Sequence, residues 1–171
     1  AEADDIIAVL SNSTEENVLI ISRDKDFVQL LRKSNINIFD PYTETIKEIK
    51  CEDVAFELFH LICKGDSSDG IPSILNPINC FVKGIRQKPL KETYIAEAFE
   101  NAKKGNLKEF LEEKYKRFEE NKKLIDFRMI EQEVKINILK EYENYKKSSG
   151  NVYKYLIDNK LTQFLDNIKE F

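Results

Sequence analysis

The chain has 171 residues, enough for one compact domain or two small ones, and 42% of them are apolar against 34% charged, with only five glycines and four prolines. That composition belongs to a helix-rich globular protein and excludes a disordered, collagenous or disulfide-stapled one. No run of about 18 uncharged apolar residues occurs, which excludes a membrane-spanning helix of ordinary type, and Ala1–Ala8 carries neither the basic nor the apolar stretch of a signal peptide. The cytoplasm is the expected compartment, that of the host cell if the chain is phage-encoded.

The net charge of −4 conceals a segregation. Residues 1–26 hold seven acids against Arg23 and Lys25, whereas Lys83–Lys91 holds Lys83, Arg86, Lys88 and Lys91 with no acid. A nucleic-acid partner is therefore compatible with an acidic chain. Cys51, Cys63 and Cys80 match neither a zinc nor a redox spacing and read as reduced thiols. The single histidine, His60, argues against histidine-rich zinc chemistry and against a Ser-His-Asp triad, and its apolar helical setting reads as structural.

In chain order, Ala3–Leu10 has helical spacing of Ile6, Ile7 and Leu10, with Asp4 and Asp5 in the first turn where negative charge is favoured. Asn17–Ser22 is a continuous apolar run of the kind found in buried parallel strands, and Phe27–Arg32 follows as a helix. Ile36–Phe39 reads as a second strand and Thr45–Ile49 as a third, separated by a turn at Pro41. From Cys51 the spacing becomes helical and stops at Lys64-Gly65. Gly65–Pro77, rich in serine, aspartate, glycine and proline, is a structured turn, and Asn79–Lys83 opens the next helix. Beyond Pro89, helices are expected over Lys91–Lys103, Leu107–Leu124, Gln132–Lys147, Val152–Asn159 and Leu161–Glu170. The fold class is thus α/β at the front and all-α behind, with domains at 1–89 and 90–171. The aromatics Phe110, Tyr115, Phe118, Tyr142, Tyr145, Tyr153 and Tyr155 are expected to pack a core rather than to stack on bases.

Three acidic clusters carry the chemistry: E-A-D-D with Glu2, Asp4 and Asp5, S-R-D-K-D with Asp24 and Asp26, and K-G-D-S-S-D with Asp66 and Asp69. Hard cations take oxygen ligands, and phosphoryl transfer commonly uses two ions roughly 4 Å apart held by carboxylates. Asp24 and Asp26 follow a strand directly, at the end where open α/β sheets place ligands, and two residues apart they can approach one site. Asp66 and Asp69, three apart, fall on one side of a helical turn. Each cluster alone has an ordinary reading as caps and polar turns. Strand-D-x-D with Val28 two positions on also fits an aspartyl-phosphate phosphatase with Asp24 as nucleophile.

Taken together, E-A-D-D on a helix, a strand ending in S-x-D-x-D-F and K-G-D-x-x-D-x-I-P resemble, in order and spacing, the flap endonuclease and 5′-to-3′ exonuclease family. Y-K-R-F-E-E-N-K-K-L-I-D-F and L-T-Q-F-L-D-N-I-K-E-F narrow the likeness to its T-even-type phage members. The resemblance covers the whole chain but only the C-terminal half or slightly more of the family's length.

It implies a partial PIN-like nuclease sheet, a helix–three-turn–helix element over about 52–85 and a helical C-terminal domain. It assigns Glu2, Asp4 and Asp24 to one metal site and Asp26, Asp66 and Asp69 to a second, with Asp5 a weaker ligand, all six of the former counted as catalytic. The cofactors implied are two magnesium ions, with manganese able to substitute, and the reaction is phosphodiester hydrolysis on RNA primers and 5′ flaps during DNA replication. Lys64, Gly65, Ser67, Ser68 and Gly70 would meet phosphates of duplex DNA or an RNA·DNA hybrid, joined by Lys83, Arg86, Lys88 and Lys91. Many relatives continue G-V-x-G-I-G where this chain reads S-I-L-N-P-I-N-C-F-V-K-G-I, which leaves potassium binding at that element open.

Two further aspartates and a helical arch lie upstream of E-A-D-D in the family. On that basis the chain is expected to be one portion of the enzyme, to need the N-terminal nuclease portion and to cleave little or nothing alone. Single-stranded DNA-binding protein and a sliding clamp are the protein partners implied. The alternative is a non-catalytic module that binds DNA or replication proteins through its helical half.

Overall fold

A computed structural model describes residues 1–47, 49, 51–145 and 152–161, which divide into two compact units, Ala1–Leu139 and Lys140–Phe171. Glu48 near the expected end of the third strand, the final helix Leu161–Glu170 beyond its first residue, and the side chains of Cys51 and Tyr153 lie outside the described residues.

The chain opens with α1 (Ala3–Ser13), three residues longer than its apolar spacing predicts. The added turn comes from Asn12 and Ser13, whose side chains donate back to the Ala8 and Leu10 carbonyls at 2.8 Å each. β1 (Val18–Ile21) then pairs in parallel with β2 (Ile36–Asp40), Val18 opposite Ile36 and Ile21 opposite Phe39. The crossover between them is a 3-10 segment, Asp26–Arg32, rather than an α-helix, and it buries Phe27, Val28, Gln29 and Leu30 in succession. A short β3 (Thr45–Ile46) returns antiparallel to β2. The Asp40 carboxylate makes that hairpin by accepting the Tyr42 and Thr43 N–H groups at 2.8 and 3.3 Å.

One face of this three-stranded sheet packs Ile20, Ile36 and Ile38 against Ala8 of α1 and Phe27 and Leu30 of the crossover. Each such side chain contributes about 1.5–3 kcal/mol when fully buried. The opposite face differs from the buried strand expected of N-V-L-I-I-S: Leu19 and Ile21 are 55% and 66% exposed. Among the described residues β1 is an edge strand with one face exposed, so its apolar run is half used.

The helical core is built from α2 (Cys51–Lys64), α3 (Glu92–Lys103), α4 (Leu107–Leu111) and α5 (Tyr115–Ile125), and α6 (Gln132–Asn144) follows it in the chain. The single helix expected over Leu107–Leu124 is broken at Glu112, whose φ of 52° is left-handed. That break lets Leu111 and Phe118 enter the same core. Phe59 anchors it, its ring 5.2 Å from those of Phe99 and Phe118. Phe110 and Tyr115 pack against it as expected, but Tyr142, Tyr145 and Tyr155 are exposed, a correction to the all-core reading of the aromatics. In the second unit α7 (Val152–Asp158) ends at Lys160, which takes a left-handed conformation. Among the described residues no helix is long and apolar enough to cross a membrane.

Between α2 and α3 the chain makes tight turns instead of a full second helix. Gly65 (φ 69°) ends α2, its N–H donating to Leu61 at 2.8 Å. The next turn closes when Ile71 N–H donates to the Asp66 carbonyl at 2.7 Å, with Gly70 left-handed at 73°. Where a helix is expected from Asn79, one turn forms and stops. Ile85 and Gly84 donate back to Cys80 and Phe81, and Gly84 takes φ 63°, the Schellman way of ending a helix. Asn121 of α5 clamps this region, donating from one buried amide to Ile62 at 3.0 Å and Pro72 at 2.8 Å.

Candidate metal centre and nucleic-acid interface

Past β1 the chain is led round by its own side chains. Ser22 still pairs with the Phe39 carbonyl, its hydroxyl accepts the Asp24 N–H at 3.0 Å, and the Asp24 carboxylate accepts the Asp26 N–H at 2.9 Å. Asp24 therefore makes an Asx turn into the 3-10 segment while remaining exposed, and the two carboxylates are related by a turn rather than by an extended run. Arg23 turns away, its guanidinium 4.5 Å above the Tyr42 ring and 3.8 Å from Asp40.

Asp26 meets Asp66 and Asp69 of the turn after α2, with one carboxylate oxygen from each lying within 4.8 Å of the others. Asp66 is 5% exposed and accepts both the N–H of Ser68, at 2.9 Å, and its hydroxyl. Lys25 adds an ion pair at 2.7 Å to the other oxygen. Burial pushes the Asp66 carboxyl up, but the Lys25 and Ser68 hydrogen bonds outweigh it and bring it down to about 2. Asp26 has the opposite fate: burial, then the charges of Asp24 and Asp66, push it up to about 6. Its Oδ1 is buried with no hydrogen-bond partner. A buried, orphaned carboxylate oxygen, raised by burial and then by like charges, beside two further carboxylates is what a hard divalent cation would relieve, with the Lys25 ammonium as its competitor at Asp66. The donor set fits a hard divalent cation.

The remaining acids lie on the same side of the unit without joining that trio at ligand distance. Burial raises the Asp4 carboxyl above its ordinary range, and the charges of Asp24, Glu2, Asp5 and Asp69 add to it. Asp4 thus shares a field with both other clusters. Asp5 accepts the Glu2 N–H at 3.0 Å, closing the helix start. Among the described residues Glu2, Asp4 and Asp24 form no ligand group of their own. Lys25 is the member that sequence reasoning missed. A lysine between two acids is the only local signal, and its partner lies 41 positions away.

Of the expected phosphate-binding residues, Ser67, Ser68, Gly70, Lys83, Arg86, Lys88 and Lys91 are all exposed. Gly65 is packed so closely that a Cβ would come within 2.3 Å of the Ile71 carbonyl oxygen. Lys64 is paired to Glu92 at 2.5 Å, and the same carboxylate hydrogen-bonds His60 at 2.8 Å, so His60 bridges α2 and α3 in the structural role its setting suggests. The basic loop is pinned from beneath: the Lys88 N–H donates to Asn76 Oδ1 at 2.9 Å, and Gln87 accepts the Ser73 N–H at 3.0 Å. Cys63 and Cys80 are free and buried, burial pushing the Cys63 thiol up to about 12.

The family model described as "5'-3' exonuclease, N-terminal resolvase-like domain" matches residues 1–58, and the one described as "T4 RNase H, C terminal" matches residues 53–171. The second match covers well over half of the chain, which belongs to the T4 RNase H C-terminal family. Ribonuclease H of Enterobacteria phage T4 is 33% identical to it over 177 aligned positions, covering 99% of this chain and 58% of that protein. The chain therefore spans little more than half the length of that family member. The two family models meet within α2, the helix that delivers Asp66 and Asp69 to Asp26.

Proposed function

We propose that this chain carries part of the metal centre and part of the nucleic-acid grip of a 5′ nuclease that hydrolyses phosphodiesters in RNA primers and 5′ flaps during replication. The observation that supports it is the meeting of Asp26, Asp66 and Asp69, with an orphaned Asp26 oxygen, in a chain of this family. Those three would hold a divalent ion, and Asp4, Asp24 and Glu2 would serve a second. When bound, the ions supply Lewis-acid stabilisation of charge on the phosphate and lower the pKa of water. The protein's own share is to fix the carboxylates. Asp24 sets the start of the segment bearing Asp26, Ser68 and Lys25 hold Asp66, and the Asn121 clamp sets the turn that carries Asp66 and Asp69.

One converged trio amounts to ligands for one ion, so we infer weak cleavage by the chain alone. Lys83, Arg86, Lys88 and Lys91 would meet duplex phosphates, which position without reading sequence. Single-stranded DNA-binding protein and a sliding clamp are proposed partners on family grounds, in the cytoplasm of the host.

The test uses end-labelled 5′-flap duplex and RNA·DNA hybrid with the chain in magnesium, in EDTA, and as D26N and D69N. Whatever cleavage occurs should require the metal and disappear in both variants. Cleavage that survives EDTA or both substitutions would sink the nuclease reading.

A further inference from the structure

The Y-K-R-F-E-E-N-K-K stretch of α5 serves the carboxylate centre only through Asn121, and its first turn lines a cavity of about 360 Å³ together with Asn76 and Lys88. Four cations face this cavity, Lys88, Lys114, Lys116 and Arg117, against the two carboxylates of Glu113 and Glu120. Its most informative member is Arg117. The side chain is only 16% exposed and its Nη1 is 2.6 Å from Glu120 Oε2, while its Nε is buried without a hydrogen-bond partner. A guanidinium has five donors, and a single carboxylate leaves most of them unmet. Nε is closed off from solvent, so an acceptor in the cavity would be met by the remaining guanidinium donors. Lys88, Lys114 and Lys116 have no carboxylate partner among the described residues, so their charge is free for a ligand. The loop bearing Lys88 is held in place by the Asn76 amide oxygen, which makes the cavity mouth a built feature.

We propose that this cavity is a phosphate site for the backbone of a bound nucleic-acid duplex, with Arg117 as its seat and Lys88, Lys114 and Lys116 as its rim. It extends the basic surface of Lys83–Lys91 onto the start of α5, where acids interleave with the bases along the chain and hide the cluster. Arginine suits phosphate because its planar fork offers parallel donors, and the surrounding lysines add attraction that is independent of sequence. The site rests on the nucleic-acid reading given under Proposed function, and a free phosphate is the other source of the same chemistry.

The experiment is fluorescence anisotropy of the full chain with a 5′-flap duplex over a salt series without divalent ions, for wild type, R117Q and the surface variant K114Q/K116Q. Wild type should bind. Removing a cation that neutralises one phosphate should flatten the slope of log affinity against log salt by about 0.9, with R117Q weakening binding several-fold at fixed salt. Thermal melts would check folding, and K114Q/K116Q carries the test should R117Q fold poorly. Inorganic phosphate at matched ionic strength should compete only weakly, and less so in R117Q. Wild-type binding with unchanged slopes in K114Q/K116Q overturns the site alone. Phosphate binding that depends on Arg117 beside unchanged duplex slopes assigns the cavity to a free anion and also overturns it. No duplex binding by wild type overturns the site and the nucleic-acid reading together.

Discussion

Two neighbouring aspartates in the centre have their proton affinities pushed in opposite directions by what surrounds them. Asp66, bonded by Lys25 and Ser68, is lowered to about 2, so its contribution to stability is present above the ordinary 3.8 and is lost as pH falls through about 2. Asp26, raised to about 6, binds its proton more tightly folded than unfolded, so its contribution is full below 3.8 and is lost as pH rises through about 6. Metal-free protein should therefore lose up to about 1 kcal/mol of unfolding free energy between pH 5 and 7, discounted for partial exposure. Urea titrations at the two pH values would measure it, and D26N should erase the difference. Gly65 is the second residue on which the site depends. G65A would place a Cβ in a left-handed position and against the Ile71 carbonyl, at a cost of about 3 kcal/mol in the same measurement. Each acidic cluster alone reads as a cap or a polar turn, and only the three taken together in order and spacing point to one site. Lys25 is not legible in the sequence, since an ion pair between residues so far apart in the chain leaves no periodic trace.

At the scale of elements, the parts with strong periodicity lie where expected: α1, β1, β2, α2 and α3 all match within a few residues. Elements whose form depends on tertiary contacts do not. Nothing in D-F-V-Q-L-L-R distinguishes a 3-10 crossover from an α-helix. The choice lies with Gln29, whose buried amide donates to Ile125 and accepts from Phe127, both at 3.0 Å, and so joins the crossover to the end of α5. The turn at Asn79–Gly84 reads as a helix because its apolar residues have helical spacing, but Gly84 stops it after one turn. Asn121 performs the comparable task from α5 and is fully buried. N121A strands two carbonyl oxygens and opens a small cavity, which should cost about 2–4 kcal/mol by denaturant unfolding. It should also weaken metal binding without touching a ligand, because the turn it clamps carries Asp66 and Asp69.

Across Ala1–Leu139 the charge is divided as the sequence suggests: acids gather where α1, the crossover and the turn after α2 meet, and bases line the loop before α3 and the start of α5. An acidic net charge thus says little about a nucleic-acid partner, since a duplex would meet the basic loop while metal ions offset the carboxylates. Such offsetting should stabilise the fold, and magnesium at 100 times its dissociation constant would add about 2.7 kcal/mol if it binds only the folded state. The uncovered face of β1, by contrast, is not legible, because an apolar run in an edge strand reads the same as one buried on both sides. The claim on which the rest depends is that Asp26, Asp66 and Asp69 hold a divalent ion. Isothermal titration of the metal-free chain with manganese, repeated with D26N and D66N, measures this directly. Saturable binding in wild type that falls at least tenfold in both variants is the expected result, and equal binding by all three chains, or none by wild type, would contradict a metal centre at these aspartates.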